Sequence, residues 1–264
     1  MSKQKGLIKL VGNIGGVSFY NAGGEYLARM AGGPSKERIQ SDPSFARTRE
    51  NNAEFGGSAK VGKAFRTAFS GVLQTMAGSR LTAQLTKLFK AINLKGVGRR
   101  GKRPIVLSAN KEMLSGLDLD KKISLTTVFS APYRVSANAD RNEVTFSVPS
   151  FLPANYLDAP SGATHFKIVG AIGLVSDYSY NDDIKGYEPD VAEENSIGVV
   201  VGSTVRSLDS SSTAITLTAT VPDGIIPDTS ISVVACLGIE FYQKVGTDDY
   251  LFAQDNVMKV TDVF

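Results

Sequence analysis

The pattern of apolar and polar positions changes period twice along the chain. Residues 6–30 read as a small β-meander, with Gly6–Val11 one strand, Val17–Tyr20 a second and Glu25–Met30 a third. The turns between them are Gly12-Asn13-Ile14-Gly15-Gly16 and Asn21-Ala22-Gly23-Gly24, and glycine punctuation between short β-favouring runs is a hairpin signal. From Phe45 to about Met76 the period becomes helical. Val61, Phe65, Phe69, Val72, Leu73 and Met76 fall on one face at spacings of three to four residues, with Lys60, Lys63 and Arg66 mostly off that stripe. Asp42-Pro43 predicts the helix start, Asp as cap and Pro in the first position, and Gly56-Gly57 is a candidate break. A second helix is expected from about Arg80 to Ile92, apolar at Leu81, Leu85, Leu88, Phe89 and Ile92. Joined by Ala77-Gly78-Ser79, the two read as an antiparallel helical hairpin.

Past Pro104 the period drops to two. Strands are predicted at 124–129, 133–137, 144–149, 165–175, 197–205, 214–221, 231–242, 250–252 and 257–263, with a hairpin turn at Asp140-Arg141-Asn142. So many short strands with regular turn signals indicate an antiparallel β-sandwich of Ig-like character. The expected fold class is therefore α+β: an N-terminal β-meander plus helical hairpin in residues 1–103, then a sandwich domain in residues 104–264.

Charge sharpens this division. Residues 1–103 hold 19 Lys and Arg against 5 Asp and Glu, a net of +14, while residues 104–264 hold 10 against 21, a net of −11. A basic half alone suggests nucleic acid. A basic half on the same chain as a nearly equal acidic half favours head-to-tail contact between copies, which builds rings or filaments.

Candidate chemistry is sparse. Gly57 to Ala64 nearly matches a phosphate-binding loop, but Ala64 stands where the Mg²⁺-binding hydroxyl belongs and the preceding stretch reads as helix. Gly96-Val97-Gly98-Arg99-Arg100-Gly101 has dinucleotide-loop spacing but follows a helix and runs into Lys102-Arg103-Pro104, without a βαβ frame. It reads better as a basic loop: with Lys95 it places five cations in nine residues, suited to a polyanion or an acidic neighbour. The single histidine, His165, and the single cysteine, Cys236, exclude a Cys/His zinc cluster, and Cys236 in its apolar run reads as a small buried hydrophobe. No catalytic residue, metal site or cofactor is expected. The acids Asp177, Asp182, Asp183, Glu188, Asp190, Glu193 and Glu194, with Tyr178, Tyr180 and Tyr187 among them, fit a solvated loop or a docking surface better than a Ca²⁺ loop. A sugar-active enzyme using paired carboxylates ranks last, since no Trp is available to stack a sugar.

The blocks Gly6–Leu10, Tyr26–Ile39, Asp42–Gly57 and Leu237–Gln243 resemble a function-unknown protein family of Bacteroidetes, the first 70 or so residues most specifically. The resemblance implies a bacterial, non-enzymatic protein and carries over no activity or site residue. No window holds 18 consecutive apolar residues, so no membrane span is expected. Lys9 interrupts the N-terminal apolar run, so no secretory signal is expected either; synthesis in the cytoplasm follows, with signal-independent release of an assembly left open.

Two functional expectations result. The first is a non-enzymatic structural subunit whose partners are copies of itself, forming a filament, a tube or a phage-like shell or tail. Its contact residues would be Lys60, Lys63, Arg66, Lys95, Arg99, Arg100, Lys102 and Arg103 on the basic side, against the acidic stretch 177–194. The second is a nucleic-acid-binding protein using the same basic residues, without the aromatic platform such proteins often carry.

Overall fold

The computed structural model describes residues 2–30 and 32–264 and forms an α+β protein with two compact units, Met1–Arg49 and Glu50–Phe264. The first holds a four-stranded antiparallel sheet of β1 (Ser2–Lys3), β2 (Gly12–Ile14), β3 (Val17–Ala22) and β4 (Glu25–Met30) in the order β1-β4-β3-β2. Gly15-Gly16 and Gly23-Gly24, all at positive φ between 55° and 86°, make the two tight turns, a conformation that suits the twist of adjoining strands.

The expected strand Gly6–Val11 does not form. The Gln4 side chain takes over its hydrogen bonding: Leu10 N–H donates to Gln4 Oε1 at 2.8 Å and Gln4 Nε2 donates to Leu10 C=O at 3.1 Å. The intervening residues loop outward.

Helix α1 (Lys36–Ser41) is capped by Ser35. The Asp42 carboxylate then accepts from Ser44 N–H at 2.9 Å and opens a 3-10 turn at Pro43, as expected. Helix α2 (Ala46–Ala68) follows, all but its first turn belonging to the second unit. It continues unbroken through Gly56-Gly57 and gives way at Phe69 to α3 (Ser70–Met76); α4 (Leu81–Lys95) completes the helical layer.

The strands of the second unit are β5 (Arg134–Ala137), β6 (Glu143–Val148), β7 (His165–Ser176), β8 (Tyr178–Asn181), β9 (Gly186–Pro189), β10 (Gly198–Gly202), β11 (Arg206–Ser207), β12 (Ile215–Thr220), β13 (Ile231–Val245), β14 (Asp248–Leu251) and β15 (Val257–Val263). The larger, curled sheet runs β10-β7-β13-β14, with β11 beside β7 and β15 beside β13. A smaller sheet runs β12-β6-β5, and β8-β9 is a separate hairpin.

Burial explains the layering. β12 alternates, with Ile215, Leu217 and Ala219 inward and Thr216, Thr218 and Thr220 outward, the mark of a strand with one wet face. β7 and β13 are buried almost continuously, so both their faces need cover. One face supplies Val169, Ala171, Val175, Val234 and Cys236 to a core shared with Val61, Phe65, Phe69, Leu85 and Phe89 of the helical layer. The other supplies Ile168, Ile172, Val233, Leu237 and Phe241 to a core shared with Val144, Phe146 and Leu217 of the smaller sheet. Phe69 packs over Gly173, where a Cβ would stand 2.6 Å from its ring.

This shared core displaces the boundary expected at 103/104. The helical hairpin is one layer of the sandwich unit, and the division between compact units falls at 49/50. Residues 124–129, expected as a strand, instead carry the helical turn α5 (Leu125–Val128), because the Asp118 carboxylate accepts from Leu125 N–H at 3.0 Å and from Ser124 Oγ at 2.9 Å. The β8-β9 hairpin, read as an acidic loop, is ordered by main-chain pairing of Tyr178–Asn181 with Gly186–Pro189.

The adjacent helical glycines Gly56 and Gly57 give a paired prediction. A Cβ at Gly57 would stand 2.5 Å from the Tyr187 ring, whereas one at Gly56 meets open space. Gly57→Ala should destabilise by about 1–3 kcal/mol through overpacking. Gly56→Ala should stabilise by about 0.5–1 kcal/mol through helix propensity alone. Thermal or urea melts of the two variants check the opposite signs.

Candidate subunit-interaction surfaces

The basic loop after α4 is organised by a carboxylate that the charge pattern does not single out. Glu54 on α2 is 1% exposed. It lies on the buried stripe with Ser58, Val61 and Phe65, so an acid stands where the helix faces its core. Oε1 accepts from Arg103 Nε at 2.8 Å and from Gly101 N–H at 2.8 Å. Oε2 accepts from Arg103 Nη2 at 2.8 Å and from the Lys90 ammonium. Burial pushes the Glu54 pKa up, but these four donors outweigh it and hold the carboxyl at about 2. The Arg103 guanidinium is held above its ordinary value by the same pair.

The network continues outward. Lys90 Nζ donates to Asn93 Oδ1 at 3.0 Å, Asn93 Nδ2 donates to Arg103 C=O at 2.6 Å, and Tyr187 Oη donates to the same carbonyl at 2.8 Å. Lys60 Nζ donates to Tyr187 C=O at 2.7 Å. α2, α4, the basic loop and the β8-β9 hairpin are thus tied around one carboxylate. Burial raises the Tyr187 hydroxyl to about 12, which keeps it protonated as a donor.

This accounts for most of the predicted basic residues. Arg103 pairs with Glu54, Lys102 with Asp182, Arg100 with Glu50 at 3.7 Å and Lys95 with Glu112 at 3.5 Å. Lys60 is held by Tyr187, and Arg66 is half-buried on α2 with its Nε lacking a hydrogen-bond partner among the described residues. Lys63 and Arg99 are exposed and form no ion pair among the described residues.

The acidic residues sort similarly. Asp177 is buried and structural: its carboxylate accepts from Ser108 N–H at 2.9 Å and from Ser108 Oγ, and burial pushes its pKa up. Asp182 faces Lys102, Glu188 Oε1 accepts from Asn181 Nδ2 at 2.6 Å, and Glu194 Oε2 accepts from Asp228 N–H at 2.9 Å. Asp183, Asp190 and Glu193 are exposed, with no ion pair among the described residues. The structure therefore brings the predicted basic and acidic surfaces together within one chain, at Lys102–Asp182. Both also border a hollow of about 370 Å³ lined by Lys60, Lys63, Thr67, Tyr178, Tyr187 and Glu188.

His165 is half-buried in β7, its Nδ1 2.8 Å from Thr164 Oγ1. Cys236 is fully buried, and burial raises its thiol pKa well above the ordinary value. No group of His, Cys, Asp and Glu among the described residues is arranged to hold a metal ion. No helix of the described residues is long and apolar enough to cross a membrane.

The remaining conspicuous surface lies in the N-terminal unit. Among its described residues no side chain is buried, and Leu7, Ile8, Val11 and Ile14 are exposed, Leu7 completely. The unit carries eight Lys and Arg against three acids. No family model, curated protein or solved structure matches the chain.

Removing the Glu54 charge should be costly. Glu54→Gln leaves Arg103 and Lys90 with an uncompensated buried site, a loss of about 3–5 kcal/mol by analogy with other broken buried pairs. The pH dependence has a definite sign. A carboxyl whose pKa falls from 4.5 to about 2 on folding contributes stability above pH 4.5 that is lost as pH drops towards 2, on the order of 3 kcal/mol in full. Urea melts between pH 6 and pH 2 should show this slope in the parent protein and a flatter one in Glu54→Gln.

Proposed function

We propose that the chain is a structural subunit of an ordered homopolymer, a filament, a tube or a phage-like shell or tail, held partly by contacts between a basic and an acidic surface. The observation that carries this reading is the N-terminal unit. Its sheet lacks any buried side chain among the described residues, and it exposes an aliphatic run. So small a sheet has little stability of its own unless a hydrophobic face is covered. A contiguous exposed apolar patch rimmed by charge marks an interaction site.

The partner chosen is another copy. The unit is basic, while Asp183, Asp190 and Glu193 of the second unit are exposed and form no ion pair among the described residues, so each chain carries both halves of a complementary contact. The basic loop contributes less than its sequence suggests, because Arg103 and Lys102 already have partners in the same chain. That occupancy also leaves the nucleic-acid reading with Lys63 and Arg99 as its least committed cations, and no observation favours it over self-assembly.

Sedimentation velocity and negative-stain microscopy of the purified chain test the reading. Large, regular species are expected at low ionic strength, shrinking as added salt screens the charge contacts. A strict monomer at high protein concentration and low salt overturns it.

A further inference from the structure

We propose that residues Leu7–Ile14 of one copy add as a β-strand to the free edge of β10 in the next copy. This rests on the homopolymer reading and specifies its contact.

The donor is a strand signal that the single chain leaves unfulfilled. Gly6–Val11 has β-favouring composition, yet among the described residues only Gly12–Ile14 of this region pairs with a neighbouring strand, and Leu7, Ile8, Val11 and Ile14 are exposed. The Gln4 side chain occupies the main chain of Leu10 through two exposed hydrogen bonds, a weak hold that a strand ladder can replace.

The acceptor is an unguarded edge. β10 reads Gly-Val-Val-Val-Gly and, among the described residues, pairs only with β7 through a continuous register from Gly198 to Gly202. Among the described residues no main-chain hydrogen bond reaches its outer side. Natural edge strands are usually blunted by Lys, Pro or a bulge, and an apolar edge without them is a template for another strand. β10 itself carries no Lys, Pro or bulge; Ala68 and Lys167 pack against its end glycines, Gly198 and Gly202, while Val200 between them is 43% exposed.

Charge selects the pairing. The donor contains Lys9 and is preceded by Lys3 and Lys5, and the acceptor is preceded by Asp190, Glu193 and Glu194. Pairing two N-terminal units with each other would oppose like charges, whereas donor against β10 opposes unlike ones. The donor–acceptor contact is also heterologous, so each chain offers a fresh edge to the next and growth continues.

Two single-site variants and their mixture test this. Ile8→Asp disables the donor and leaves β10 intact; Val200→Lys places a lysine on the acceptor and leaves the donor intact. Both positions are exposed. Each variant alone is expected to sediment as a monomer under conditions where the parent protein assembles, with an unchanged melting temperature. Mixed in equal amounts, they should form a two-chain species and nothing longer, because the one productive contact leaves a dead donor and a dead acceptor. Should Val200→Lys lower the melting temperature, the double charge reversal D190K/E193K, at exposed residues, replaces it, with weaker assembly expected. Variants that assemble like the parent, or a mixture that stays monomeric, overturn the strand pairing while leaving the homopolymer reading in place. A monomeric parent protein overturns that reading itself.

Discussion

A buried carboxylate with four donors organises the helical side of the second unit. An isolated ionised Glu54 inside the core would be expensive, and only the Arg103 fork, the Lys90 ammonium and the Gly101 amide make it tolerable. The donors come from two places: α4 supplies Lys90, and the loop after it supplies Gly101 and Arg103. Satisfying one side chain of α2 therefore fixes where α4 lies and how the loop returns across it. Gly101 at φ 91° turns its amide to the carboxylate, with Glu50 so close that a side chain there would meet it at 3.0 Å. The carbonyl of Arg103 then receives Tyr187, which brings the β8-β9 hairpin onto α2 at Gly57, where a Cβ would stand 2.5 Å from the Tyr187 ring.

On the other side of that layer the constraint is apolar. β7 and β13 bury both faces, so the larger sheet is stable only with helices on one side and β12-β6-β5 on the other. Glycines in these strands mark where the covering layers come closest: Phe69 lies over Gly173 on one face and the Phe146 ring over Gly170 on the other. Three layers sharing a sheet cannot be cut at residue 103 without exposing an entire core. That is why the composition boundary between basic and acidic sequence is not a boundary between compact units.

Much of this was legible in the chain because it rests on local periodicity. The stripe from Val61 to Met76, the Asp42-Pro43 start and the strands expected at 165–175, 231–242 and 257–263 follow from spacing and capping, and the structure extends the first two to Ser176 and Val245. What failed depended on single side chains acting at a distance. Gln4 reaches across to Leu10 and removes a strand; Asp118 caps Leu125 and makes a helical turn of β-favouring residues. Glu54 was visible only as an acid on an apolar stripe, a signal that a charge count averages away. The partners of Arg103 and Lys102 lie 49 and 80 residues distant in sequence, beyond any spacing argument.

The charge asymmetry therefore has two components with different consequences. One part is internal: Glu54–Arg103 is largely buried, where salt screens it much less, and it shapes the fold. Another part is external: Lys5 and Lys9 in the N-terminal unit and Asp183, Asp190 and Glu193 in the second unit lie in solvent, where ionic strength of about 0.15 M screens charges beyond roughly 8 Å. Only the external part is available to another molecule, and it is modest. Surface ion pairs contribute about 0–1 kcal/mol each, too little to hold subunits together unaided. In an assembly of this chain the affinity must come mainly from apolar and main-chain contacts such as those Leu7–Ile14 can make, with the charges setting which surfaces meet and in which direction.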